Sequence, residues 1–64
     1  MKIYIEKQDK HLVLEKEFSG AELLRELDIN PSTIILVRNN EVILEDEILK
    51  KDDDIKILSV ISGG

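Results

Sequence analysis

Sixty-four residues with 42% hydrophobic content and a formal charge of −5 make one small acidic domain. A chain of this length buries only roughly 60% of the surface that its unfolded form exposes, so little is left over for a deep pocket. With no cysteine and one histidine, His11, it has no disulfide, thiol nucleophile or zinc cage, and its acidic balance disfavours nucleic acid and anionic membranes.

Residues 2–7 alternate and predict a strand with Ile3 and Ile5 on one face. Gln8, Asp9 and Lys10 read as a turn, and residues 11–18 as the second strand of a hairpin, with His11 exposed at its start. Ser19 and Glu22 have the spacing of a capping box. Leu23, Leu24 and Leu27 follow at helical spacing, and Phe18 stands where a residue staples against Leu23. The predicted helix covers 20–28 and is stopped by Asn30-Pro31, since a residue before proline avoids helical backbone. A third strand covers 34–38, Asn39-Asn40 is a tight turn, and a fourth strand covers 41–44. Residues 45–54 read as a polar loop that dips Ile48 and Leu49 into the core, and 55–61 as the last strand. The first and last strands are the most apolar and are predicted to be central neighbours. The order β-β-α-β-β-β then gives an α+β fold, a β-grasp, with one helix across one face of a mixed sheet. Residues 1–61 are expected as a single domain and 62–64 as a flexible tail.

No apolar run approaches the ~20 residues needed to span a bilayer. Met1 leads directly into a strand pattern rather than a signal-peptide core, so a cytoplasmic location is expected. The acidic runs Glu45-Asp46-Glu47 and Asp52-Asp53-Asp54 lack the spacing of a calcium loop and read as solvated turns.

The sequence given closes on Gly63-Gly64. Glycine has no Cβ, so such a segment can enter a slot only as wide as the backbone. From Ile61 to Gly64 the extended reach is roughly 13 Å, enough to carry a terminal carboxylate into another protein's active site. In the last strand Leu58 and Val60 point away from Ile55 and Ile57. If Arg38 faces solvent, Leu36 shares its face. Leu36, Leu58 and Val60, with Tyr4, then form either an exposed docking patch or scattered aliphatics.

The residues Asn30-Pro31 with Thr33, Val37-Arg38, Glu45-Asp46-Glu47 and above all Leu58-Ser59-Val60-Ile61-Ser62-Gly63-Gly64 resemble the ThiS/MoaD group of ubiquitin-like sulfur carriers. The likeness is nearest to the carriers that feed tRNA 2-thiouridine synthesis in thermophilic bacteria and archaea. The resemblance implies a substrate protein, not an enzyme, and a monomer when alone. It implies no bound cofactor. A partner adenylyltransferase, related to ubiquitin-activating enzymes, uses ATP and magnesium to activate the Gly64 carboxylate. A persulfide donor then converts it to a thiocarboxylate, and a downstream enzyme takes the sulfur for thiouridine, thiazole (thiamine biosynthesis) or molybdopterin. Ile61, Ser62 and Gly63 would enter the partner's channel, and Leu36, Leu58 and Val60 would bind its surface. Two alternatives stay open: a modifier joined through Gly64 to lysines, and an interaction domain whose glycines are incidental. The sequence departs from the thiazole-pathway carriers where Asp52–Asp54 replace a turn glycine, a position where Asp accepts left-handed backbone less readily.

Overall fold

The structure, a computed structural model, describes residues 1–60. The strands are β1 (Lys2–Ile5), β2 (Lys10–Val13), β3 (Phe18–Ser19), β4 (Ile34–Arg38), β5 (Glu41–Ile43), β6 (Ile48–Leu49) and β7 (Asp54–Ser59), with one helix, α1 (Gly20–Glu26). Five strands form a mixed sheet in the order β2-β1-β7-β4-β5, while β3 and β6 make a small second sheet. β7 lies at the centre, parallel to β1 and antiparallel to β4, as expected of two apolar strands that must both be covered. Ile3, Ile5, Ile55 and Ile57 share a core with Leu23 and Leu24 of α1 and Leu49 of β6. Leu27 and Phe18 pack against its margin. This is the expected β-grasp, one helix against one face of a mixed sheet.

The element boundaries differ in instructive ways. β1 ends at Ile5 because Glu6–Gln8 coil into a 3₁₀ turn, closed by the Asp9 N–H donating to the Glu6 carbonyl at 3.1 Å. Asp9 takes a left-handed φ of 47°. β2 stops at Val13, opposite Lys2, and beyond Leu14 there is no further length of β1 to pair with. The strand predicted to 18 therefore breaks, and Phe18–Ser19 pair instead with Ile48–Leu49. That pairing also corrects the loop reading. Successive side chains of a strand point opposite ways, so Leu49 is fully buried while Ile48 is 55% exposed.

The helix starts as predicted. Ser19 Oγ accepts from the Glu22 N–H, and the Glu22 carboxylate accepts from the Ser19 N–H. The two donors ahead of Glu22 are met by the chain that carries β6: Gly20 N–H donates to the Glu47 carbonyl at 2.9 Å and Ala21 N–H to that of Glu45 at 2.7 Å. The helix ends earlier than predicted and for a different reason. Asp28 adopts φ 56°, its N–H donates to the Arg25 carbonyl, and the Ile29 N–H reaches the Leu24 carbonyl at 2.8 Å. This is a Schellman stop, with Asp where glycine is usual. Pro31 instead opens a second 3₁₀ turn, Pro31–Thr33.

At the far end of the sheet Asn39 and Asn40 both have positive φ, 51° and 71°, as a two-residue hairpin requires. Among the described residues, no helix is long and apolar enough to cross a membrane.

Candidate functional site

β7 leaves the sheet at Ser59, and its exit is held from both sides. On the β4 side the Val60 N–H donates to the Thr33 carbonyl at 3.1 Å. Thr33 is itself fixed, since its N–H and Oγ1 both donate to the Asn30 carbonyl at 3.1 and 2.8 Å. Asn30 Oδ1 in turn accepts from the Ser32 N–H at 3.0 Å, which locks the Asn30-Pro31 corner. On the β1 side the strand has already stopped at Ile5, and a side chain takes over: Glu6 Oε1 accepts from the Ser59 N–H at 3.1 Å. Ser59 and Val60 are therefore held by two bonds from remote parts of the sequence. A cleft of about 890 Å³ beside this exit is lined by Ile5, Gln8, Ile29, Asn30, Thr33 and Ile34, among others, and contains no cysteine or histidine. Ile61, Ser62, Gly63 and Gly64, the expected tail and chemical site, lie outside the described residues.

The expected docking face needs one correction. Leu36 is only 3% exposed and belongs to the core. Its partner across the ladder is Ile57, a core residue, so the two share the inner face. The misreading came from Arg38. It does share the face of Leu36, but at the end of the sheet its guanidinium turns to the start of β6 and the residue before it. There Nη1 donates to the Ile48 carbonyl at 3.0 Å and Nη2 pairs with Glu47 at 3.5 Å. The residue opposite Leu58 is Ile35, 38% exposed. The outer face thus carries Ile35 with half-buried Leu58, the Val37–Val42 pair beside them, and Val60, 48% exposed, at the exit. Sequence reasoning missed Ile35 and Glu6. Correct strand parity would have found the first. Nothing local marks the second, which acts on a residue 53 positions away.

Tyr4 lies on this outer face, opposite Lys56. Its ring stacks on exposed His11 with centroids 4.7 Å apart, and its hydroxyl donates to Asp9 at 3.0 Å. That hydrogen bond holds the phenol above its ordinary pKa, so Tyr4 is neutral near pH 7. The Asp52–Asp54 turn is built by local bonds: Asp53 accepts from the Lys50 N–H at 2.9 Å and from Asn39 Nδ2 at 3.1 Å, and Asn39 Oδ1 accepts from the Asp54 N–H at 2.9 Å. The Lys50 bond foremost holds the Asp53 carboxyl below its ordinary value. None of these three aspartates has a positive φ, so the turn does without a glycine. Among the described residues no three potential ligands gather as a metal site.

Residues 2–64 match the sequence profile of the ThiS family. The sulfur carrier protein TtuB of Thermus thermophilus is 48% identical over 44 residues, which cover 67% of this chain and 66% of that protein. The aligned stretch thus spans just under two thirds of that relative's length. Among solved structures, the thiamine biosynthesis protein ThiS of Geobacter metallireducens superposes over 100% of both chains with a TM-score of 0.68 at 20% identity. At that identity the likeness is one of fold.

Proposed function

We propose a function from one premise: the chain belongs to the ThiS family, whose profile it matches over residues 2–64. The protein is a sulfur carrier, and its chemistry takes place on the carboxylate of Gly64. The observation that carries this reading is the exit of β7. The central strand is hydrogen-bonded to Glu6 on one side at Ser59 and to Thr33 on the other at Val60, and Ile61-Ser62-Gly63-Gly64 follow it directly in sequence. The likeness to a named sulfur carrier at 48% identity supports it.

The chemistry that the resemblance implies fits what the chain lacks. A terminal carboxylate of pKa roughly 3.5 is ionised at neutral pH and is a poor electrophile. It becomes reactive only when its oxygen attacks the α-phosphate of ATP and pyrophosphate leaves. As the family resemblance implies, a partner adenylyltransferase supplies ATP and magnesium and a persulfide supplies the sulfur, which fits a chain that encodes neither a phosphate-binding glycine loop nor a cysteine. The terminal persulfide sulfur attacks the acyl carbon and expels AMP. Cleavage of the S–S bond by a thiol then leaves the thiocarboxylate for a downstream sulfur-transfer enzyme. The carrier contributes a handle and a docking face made of Leu58 and Val60 with Ile35. In this reading residues 1–61 are the domain, 62–64 the tail, the protein is a cytosolic monomer, and the resemblance to the thiouridine carriers makes tRNA thiolation the first outlet to assay.

The test is intact-mass spectrometry after incubation with the activating enzyme, ATP, magnesium and a persulfide source. The wild type gains the mass difference of one oxygen replaced by sulfur, and a variant lacking Gly64 gains nothing. Equal loading of the truncated variant sinks the reading. A lysine adduct in place of sulfur marks a protein modifier instead.

A further inference from the structure

We infer that Glu6 is a positioning residue of the carrier reaction, because its carboxylate pins the amide from which the Gly64 segment departs. The inference rests on the carrier reading above. Each residue of a strand offers its N–H to one side of the ladder, and the next residue to the other. At the end of β7, Val60 turns its N–H toward β4 and finds the Thr33 carbonyl, and Ser59 turns its N–H toward β1. There β1 has already become a 3₁₀ turn, whose closing bond from the Asp9 N–H fixes residue 6. The Glu6 side chain reaches across and substitutes for the strand that is no longer beside β7. Ser59 and Val60 are therefore held as a continuation of the sheet. The described end of the strand is thus tied down at its last two residues.

The consequence is entropic. A partner that must thread Gly64 to a reacting phosphate loses less on binding when the residues before the thread are already ordered. Glu6 acts through the Ser59 amide, so in this proposal its removal acts on recognition and leaves the chemical step alone. Glu6 is exposed, and its contribution to global stability is correspondingly small.

The experiment compares Glu6→Ala, Glu6→Gln and Glu41→Ala with the wild type. Glu41 is exposed at the opposite edge of the sheet, on β5, and controls for the loss of one charge. Two readouts are taken: the Ser59 amide exchange rate by NMR on the isolated protein, and KM and kcat for loading by the activating enzyme. Glu6→Ala accelerates Ser59 exchange and raises KM about fivefold, the order of one hydrogen bond's net worth, with kcat unchanged. Glu6→Gln keeps an oxygen acceptor and restores both values, and Glu41→Ala matches the wild type. A lowered melting temperature with unchanged KM overturns the inference, as does an equal rise in KM for Glu41→Ala. A wild type that loads sulfur while every variant behaves like it overturns this inference alone. A wild type that takes no sulfur overturns the carrier reading and this inference with it.

Discussion

Gly20 opens the helix, and a Cβ added there would stand 2.5 Å from Leu36 Cδ2, 3.0 Å from the Glu45 carbonyl oxygen and 3.2 Å from Glu45 Cα. In an exposed helix, glycine to alanine ordinarily gains about 1 kcal/mol. Here the Leu36 methyl has the closed core behind it, and the Glu45 backbone is held by the Ala21 N–H at 2.7 Å. Gly20→Ala is therefore expected to lose about 1–3 kcal/mol in urea denaturation, the range for forcing atoms into packed space. A gain in stability would show that the 45–47 segment yields easily. The Leu36 and Leu58 pair gives a second test at this scale. Leu36→Asp places a charge in the core and should abolish the folded circular dichroism spectrum. Leu58→Asp, half-exposed on the outer face, should stay folded and load sulfur more slowly at limiting activating enzyme. Equal behaviour of the two variants would mean that the faces are wrongly assigned.

Among the elements, the ends carry more information than the middles. Asp28 holds a left-handed φ of 56° at the helix stop, a conformation that costs a non-glycine residue on the order of 1 kcal/mol. Asp28→Gly should raise stability by about that amount, readable as a higher melting temperature; a fall would show that the Asp28 side chain does something the backbone does not reveal. The turn before β7 makes a pH-dependent contribution. The Lys50 N–H keeps Asp53 below its ordinary 3.8, so the contribution is present above that value and fades as pH falls through the lower folded value. The stability difference between wild type and Asp53→Asn should accordingly shrink as the pH drops below 3.8, as measured by urea titrations on either side of it. The interiors of these elements were legible from local pattern: the Ile-x-Ile alternation of β1 and β7, the Ser19–Glu22 box and the Asn39-Asn40 turn all emerge where they are predicted. What was not legible depends on partners far along the chain. β2 stops because β1 begins at Lys2, Phe18 pairs because Leu49 comes back to it, and Leu36 is inside because Ile57 is opposite. A two-residue period shows that side chains alternate but not which face is inner, and Arg38, a charged residue on the core side, is a misleading anchor for that choice.

For the whole molecule, one core serves all the elements, and the margin is narrow. At 64 residues the typical per-residue stability amounts to only about 3–10 kcal/mol. Leu24, 1% exposed and central to that core, should cost about 2–5 kcal/mol when cut to alanine. Much of the population is then expected to be unfolded at 37 °C, in a single transition followed by circular dichroism; a melting temperature like that of the wild type would place the helix on the wrong face. The parallel pairing of β1 with β7 matters also before any of this chemistry begins. Ribosomes make the chain from its first residue onward, and the strand at the centre of the sheet is made after every other strand in it. Until Asp54–Ser59 have emerged, the β1–β2 and β4–β5 hairpins have nothing to join them and the helix has half a floor. A nascent chain that stalls before Asp54 thus lacks the strand that joins the two hairpins into one sheet, and the outer face stays in two pieces.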